Sequence, residues 1–115
     1  MTYIDGMIAA VPTANKAQFV EHSRAHAAVL KEFGAVSVVD AWGDDVPHGA
    51  QTDFHRAVAA TADETVVFCW VSWPDKAVRD AGWAKVMQDP RMIALKMPFD
   101  GKRLVHGGFE PVFTA

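Results

Sequence analysis

Thr65 to Trp73 reads Thr-Val-Val-Phe-Cys-Trp-Val-Ser-Trp. β-Branched and aromatic residues crowd a segment of strand length, and successive side chains of a strand point to opposite faces. One face then carries Val66, Phe68 and Trp70, and the other Val67, Cys69, Val71 and Trp73. Ala35 to Trp42 behaves alike, with Val36, Val38 and Trp42 on one side and Val39 and Ala41 on the other. A sheet wetted on one side alternates apolar with polar residues. These strands do not alternate, so they need cover on both faces.

The rest of the chain supplies cover for one. Tyr3 to Val11 reads as a strand closed by Pro12. Thr13 is placed to cap a helix from Ala14 to Phe33, in which Phe19, Ser23, His26, Leu30 and Phe33 recur at steps of three and four. Gly34 stops it. A short helical turn, or else an irregular strand, is expected near Thr52–Val58. A second helix is expected from Pro74-Asp75 to about Gln88, then a turn over Arg91–Met97 and a last strand over about Lys102–Val112. Gly107-Gly108 inside that strand signals a bulge or a close backbone approach.

The order is that of the α+β, ferredoxin-like βαββαβ fold: a four-stranded antiparallel sheet with two helices on one face. The uncovered face would be an apolar patch of several hundred Å2, more than monomers usually carry. Pairing with a second copy through a two-fold interface covers it and gives a homodimeric barrel. The other solution is that the C-terminal segment folds back over the face.

Composition removes other classes. The 115 residues allow a single domain over 1–115. Net charge −3 and pI ≈ 5.9 give no footprint for nucleic acid or an anionic membrane. No apolar run approaches the ~20 residues of a membrane helix, and the first residues do not read as a signal peptide. The single cysteine, Cys69, fits a reducing compartment, so a cytoplasmic location is expected.

Several strings are specific. They are Trp42-Gly43-Asp44-Asp45-Val46-Pro47, Thr52-Asp53-Phe54, Arg79-Asp80, Asp89-Pro90-Arg91-Met92, Met97-Pro98-Phe99-Asp100-Gly101-Lys102-Arg103 and Gly107-Gly108-Phe109-Glu110-Pro111. Through them nearly the whole chain resembles the YbaA-like family of uncharacterised bacterial proteins, within the dimeric α+β barrel superfamily. The resemblance leads one to expect tyrosine where this chain carries His106. The resemblance implies a ferredoxin-like subunit that dimerises through its sheet, and it implies no activity. The wider superfamily includes cofactor-independent monooxygenases and isomerases, so such chemistry would be inferred from fold analogy alone.

The candidate chemistry is sparse. His22 and His26 share a helix face, but the sequence offers them no evident third ligand, so no metal is expected. Asp44, Asp45, His106 and His26 are the candidate acid–base groups, with Asp5 a further carboxylate. Trp42, Phe68 and Trp70 are candidate walls of a ligand cavity, and Arg56 and Arg79 candidate anion clamps or salt-bridge partners. Cys69 reads as a buried small hydrophobe. No phosphate loop, zinc-cysteine pattern or dinucleotide fingerprint is present, so no cofactor is expected. The leading expectation is a homodimer holding a small, partly apolar molecule in a cavity beside the sheet, with catalysis left open. The alternative is a non-catalytic dimeric module without a ligand.

Overall fold

The computed structural model describes residues 2–115. Strand β1 (Tyr3–Pro12) leads through a 3-10 turn into helix α1 (Lys16–Glu32). Strand β2 (Ser37–Trp42), the short helix α2 (Phe54–Ala57) and strand β3 (Glu64–Trp73) follow. Helices α3 (Lys76–Val86) and α4 (Pro90–Ile93) and strand β4 (Val105–Phe109) complete the chain. The sheet order is β2-β3-β1-β4, and all three pairings are antiparallel. This is the expected ferredoxin-like α+β topology.

The register decides which side chains meet the helices. β1 pairs with β3 from Tyr3 opposite Trp73 to Pro12 opposite Glu64. Ala9, Val11, Val67 and Cys69 pack with Phe19 of α1, and Val71 and Trp73 with Val29, Leu30 and Val86. Trp73 is fully buried. α3 can approach it because residue 82 is glycine; a Cβ there would lie 2.6 Å from the Trp73 ring. Gly34 ends α1 at φ +114°, a backbone conformation that glycine adopts without penalty.

Several local expectations are revised. Thr13 does not cap α1; its hydroxyl bonds that of Thr65 at 2.8 Å, and the helix begins after Asn15. β2 starts at Ser37 rather than Ala35, and β4 is confined to Val105–Phe109 because a 3-10 turn over Gly101–Arg103 precedes it. There is no bulge at Gly107-Gly108, since the β1–β4 register runs unbroken. The close approach is real, however: a Cβ at Gly108 would strike the Tyr3 hydroxyl and the Arg79 guanidinium.

The second face of the sheet is covered at one end only. Val58 and Ala60 pack on Ala10 and Val66. Arg103 fastens this cover, donating to the Ala59 carbonyl at 2.9 Å and to both Glu64 carboxylate oxygens at 2.7 Å. Beyond it Phe68 and Phe109 are 48% and 62% exposed, and Val39 and Val105 are also exposed. The C-terminal segment does not fold over this face; Val112 and Phe113 stand in solvent. Among the described residues, no helix is long and apolar enough to cross a membrane.

Candidate functional site

One group of polar contacts beneath the helices centres on Asp5. Its position opposite Val71 puts its side chain on the helix-covered face. The indole N–H groups of Trp73 and Trp83 both donate to Asp5 Oδ2, at 2.9 and 2.8 Å. Arg79 Nη2 donates to Oδ1 at 2.6 Å, and the guanidinium stacks on the Tyr3 ring at 5.2 Å. Burial raises the Asp5 pKa, but the hydrogen bonds from Arg79, Trp83 and Trp73 outweigh it and hold the carboxyl below its ordinary value. Asp5 is thus a fixed anion tying β1, β3 and α3 together, and its bonding capacity is occupied. Arg79 is equally engaged, donating also to Asp80 at 3.0 Å.

A cavity of ≈ 320 Å3 lies between α1 and the β2 edge, near the small end of ligand sites. Phe19, Val20, Ala27, Val38 and Trp42 give it apolar walls, while Ser23, Asp40, Lys16 and Arg24 bring polar groups to it. Ser23 Oγ is buried and has no hydrogen-bond partner. An unsatisfied buried hydroxyl costs about 1–3 kcal/mol, and a serine within a helix normally relieves that by bonding backward to a carbonyl. The Lys16 ammonium sits 5.6 Å over the Trp42 ring. Asp40 projects from β2 opposite Cys69. Burial first, then the Asp40 carboxylate, push the Cys69 thiol far up, so it stays protonated.

His22 and His26 stack at 5.6 Å on α1, His26 also lying 6.1 Å from Trp83. Burial lowers both pKa values, with the Asp40 charge opposing and His22 adding to the depression at His26. Both are therefore neutral near pH 7, the form that can accept a proton.

The other candidates are dispersed. Asp44 and Asp45 are exposed and border a separate ≈ 280 Å3 cavity on the open face, with Phe54 and Phe68. Trp42 borders both cavities. Trp70 packs edge-on to Phe68 at 5.7 Å, on the open face. His106 lies exposed on β4 opposite Met7, away from these cavities. Arg56 approaches Asp53 at 3.8 Å. In the sequence Ser23 is one member of a helix face, and neither Asp40 nor Lys16 stands among the candidate site residues. The available signal was parity: Asp40 shares a strand face with Val38 and Trp42, a carboxylate where an apolar residue belongs.

Comparison with known proteins places the chain. The family model described as "Protein of unknown function (DUF1428)" matches residues 2–101. The uncharacterised protein YbaA of Escherichia coli K12 is 48% identical over 114 residues, covering 97% of each chain, and so is that of Shigella flexneri. Among solved structures, that of Rv0793 from Mycobacterium tuberculosis superposes with a TM-score of 0.54 at 10% identity, covering 100% of this chain and 99% of that one. At that identity the likeness concerns the fold alone. The chain belongs to the DUF1428 family of uncharacterised bacterial proteins, with YbaA among its relatives.

Proposed function

We propose that this protein is a homodimer, paired through the open sheet face, in which each subunit binds a small, partly apolar molecule in the cavity between α1 and β2. The observation that carries the binding site is Ser23 Oγ, buried without a partner in the wall of a cavity that also presents Asp40. Apolar walls with one unsatisfied hydroxyl and one carboxylate suit a ligand of similar pattern: an apolar body bearing a hydroxyl, amide or amine. Binding, rather than a named reaction, is the function this geometry supports.

The dimer rests on the uncovered face. Strands spaced ~4.8 Å apart and free over five or six residues leave a sheet surface roughly 19 by 20 Å. The side chains there are Ile4, Ile8, Val39, Ala41, Phe68, Trp70, Val105 and Phe109, with no charge among them. Several hundred Å2 of apolar surface marks an interaction site, and the exposed tail can add area toward the ~800 Å2 per partner of a stable interface. A second copy matches such a face apolar to apolar, without the charge complement a different partner would need.

Sedimentation at micromolar concentration tests the pairing. The wild type is expected at twice the 12.5 kDa chain mass and Phe68→Glu at the chain mass; a monomeric wild type refutes it. Native mass spectrometry of the freshly purified protein tests the cavity. An adduct is expected in the wild type and not in Ala27→Leu, whose larger side chain occupies the wall; an adduct that survives the substitution refutes the site. The second reading, a dimeric module without ligand, is favoured by the engagement of Asp5, Arg79 and Asp53 in pairs away from this cavity. A wild type with no adduct supports it.

A further inference from the structure

The segment between β2 and α2 folds back through Asp53, whose side chain is 3% exposed. Asp53 Oδ2 accepts from the Gly49 N–H at 3.0 Å, and Oδ1 accepts from the Arg56 N–H at 2.7 Å, capping α2. These bonds lower its pKa, the Arg56 backbone bond most, so the carboxylate is charged and held in place. Two imidazoles lie against it. His48 Nδ1 is 3.7 Å from Asp53 Oδ2, and the His48 and His55 rings stack at 4.1 Å. His55 Nδ1 is buried and has no hydrogen-bond partner. One potential ligand atom from each of the three residues falls within 4.8 Å of the others, the only such cluster among the described residues.

We propose that His48, Asp53 and His55 form a binding site for one borderline divalent cation of the zinc type. Two imidazoles and a carboxylate are the donor set such ions prefer, whereas magnesium takes oxygen ligands and calcium more of them. Bond lengths of ~2.0–2.2 Å to nitrogen and oxygen require ligand atoms closer than they stand in the stacked arrangement. The mobile element is His48, whose side chain is 76% exposed. Its ring turns off the His55 face toward Asp53, while Asp53 stays fixed by its two backbone bonds. Three protein ligands leave a fourth position open to water. The Arg56 guanidinium, 3.8 Å from Asp53 Oδ2 and half-exposed, competes for that oxygen and must swing outward. This site is separate from the α1–β2 cavity. Phe54, between two of the ligands in sequence, borders the open-face cavity, so the cation would stiffen one wall of it.

Titration of chelator-treated, metal-free protein with Zn2+ by calorimetry tests the assignment. The wild type is expected to take one ion per chain in the micromolar range, with no competition from Mg2+. His48→Ala, at an exposed position, and Asp53→Asn, which keeps a capping oxygen, should each weaken binding by more than about tenfold. Arg56→Gln should bind at least as tightly as the wild type. His22→Ala, which breaks the rival histidine pair on α1, should bind unchanged. The proposal is overturned by absence of Zn2+ binding in the wild type, by its survival in both His48→Ala and Asp53→Asn, by its loss in His22→Ala, or by weaker binding in Arg56→Gln.

Discussion

Replacing Asp5 by asparagine should damage this protein nearly as much as replacing it by alanine. The carboxylate receives two indole donors on Oδ2 and the guanidinium on both oxygens. Asparagine offers one oxygen. If that oxygen serves the indoles, its NH2 group faces Arg79, donor against donor; turned over, it faces the indoles. Either way a half-buried donor is left unmatched at about 1–3 kcal/mol, and Arg79 keeps only the more exposed Asp80 as an anion. Breaking a buried pair costs ~3–5 kcal/mol. Asp5 and Arg79 side chains are 13% and 24% exposed, so the low end applies, about 3 kcal/mol. For a chain of this length that is a fall of roughly 12 °C in Tm, at about 4 °C per kcal/mol. Calorimetric melting of Asp5→Asn and Asp5→Ala at pH 7 measures it. The deficit should also narrow in acid. A carboxyl whose folded pKa lies below the unfolded value of ~3.9 contributes stability above that value and loses it as pH falls through the folded pKa. An Asp5→Asn protein within about 0.5 kcal/mol of wild type would refute this reasoning, because it would mean that the donors find water instead.

Gly82→Ala should destabilise despite a gain in helix propensity of about 1 kcal/mol. The new methyl meets the Trp73 ring and the Phe33 carbonyl, and overpacking costs ~1–3 kcal/mol; a raised urea midpoint would contradict this. Glu64, held down to about 2 chiefly by Arg103, contributes stability that is complete above its unfolded pKa near 4.3 and lost as pH falls toward 2. Glu64→Gln should therefore lower stability at pH 7 and flatten the acid limb of the pH–stability curve. Cys69 should resist thiol reagents until the chain is unfolded; rapid labelling of the native protein would count against its burial.

The topology was legible because each strand announced its own two faces. Val67, Cys69, Val71 and Trp73 fell where parity put them, and so did Phe68 and Trp70. Helix α1 was legible from the spacing of Phe19 and Leu30, both buried; on α3 it is Val86 that is buried, while its neighbour Met87 is 73% exposed. Element ends were less so, since they depend on partners remote in sequence. Thr13 has a capping side chain, yet Thr65, fifty-two residues on, claims its hydroxyl. The site was the least legible part. Asp5 looked like a free acid, but its role is set by donors sixty-eight to seventy-eight residues away, which no local pattern reveals. Ser23 looked like a neutral member of a helix face; only the packing of β2 shows that its hydroxyl lacks a partner. His48 and His55 meet because Asp53 bends the intervening segment, so spacing alone favoured His22 and His26 instead.

β3 divides its labour by parity, and that division explains why one small chain carries so many large side chains. The odd-numbered set, with Trp73 fully buried, spends its apolar area on α1 and α3 and so holds the subunit together. The even-numbered set is graded along the strand. Val66 is covered by residues 58–60, while Phe68 remains half-exposed with Trp70 packed beside it. The cover fastened by Arg103 thins at Phe68, which the Phe54 ring meets only edge-on at 5.9 Å and which stays 48% exposed. The gradient therefore separates two tasks on one strand. Odd positions govern whether the subunit folds, and Phe68 at an even position is left out of that core.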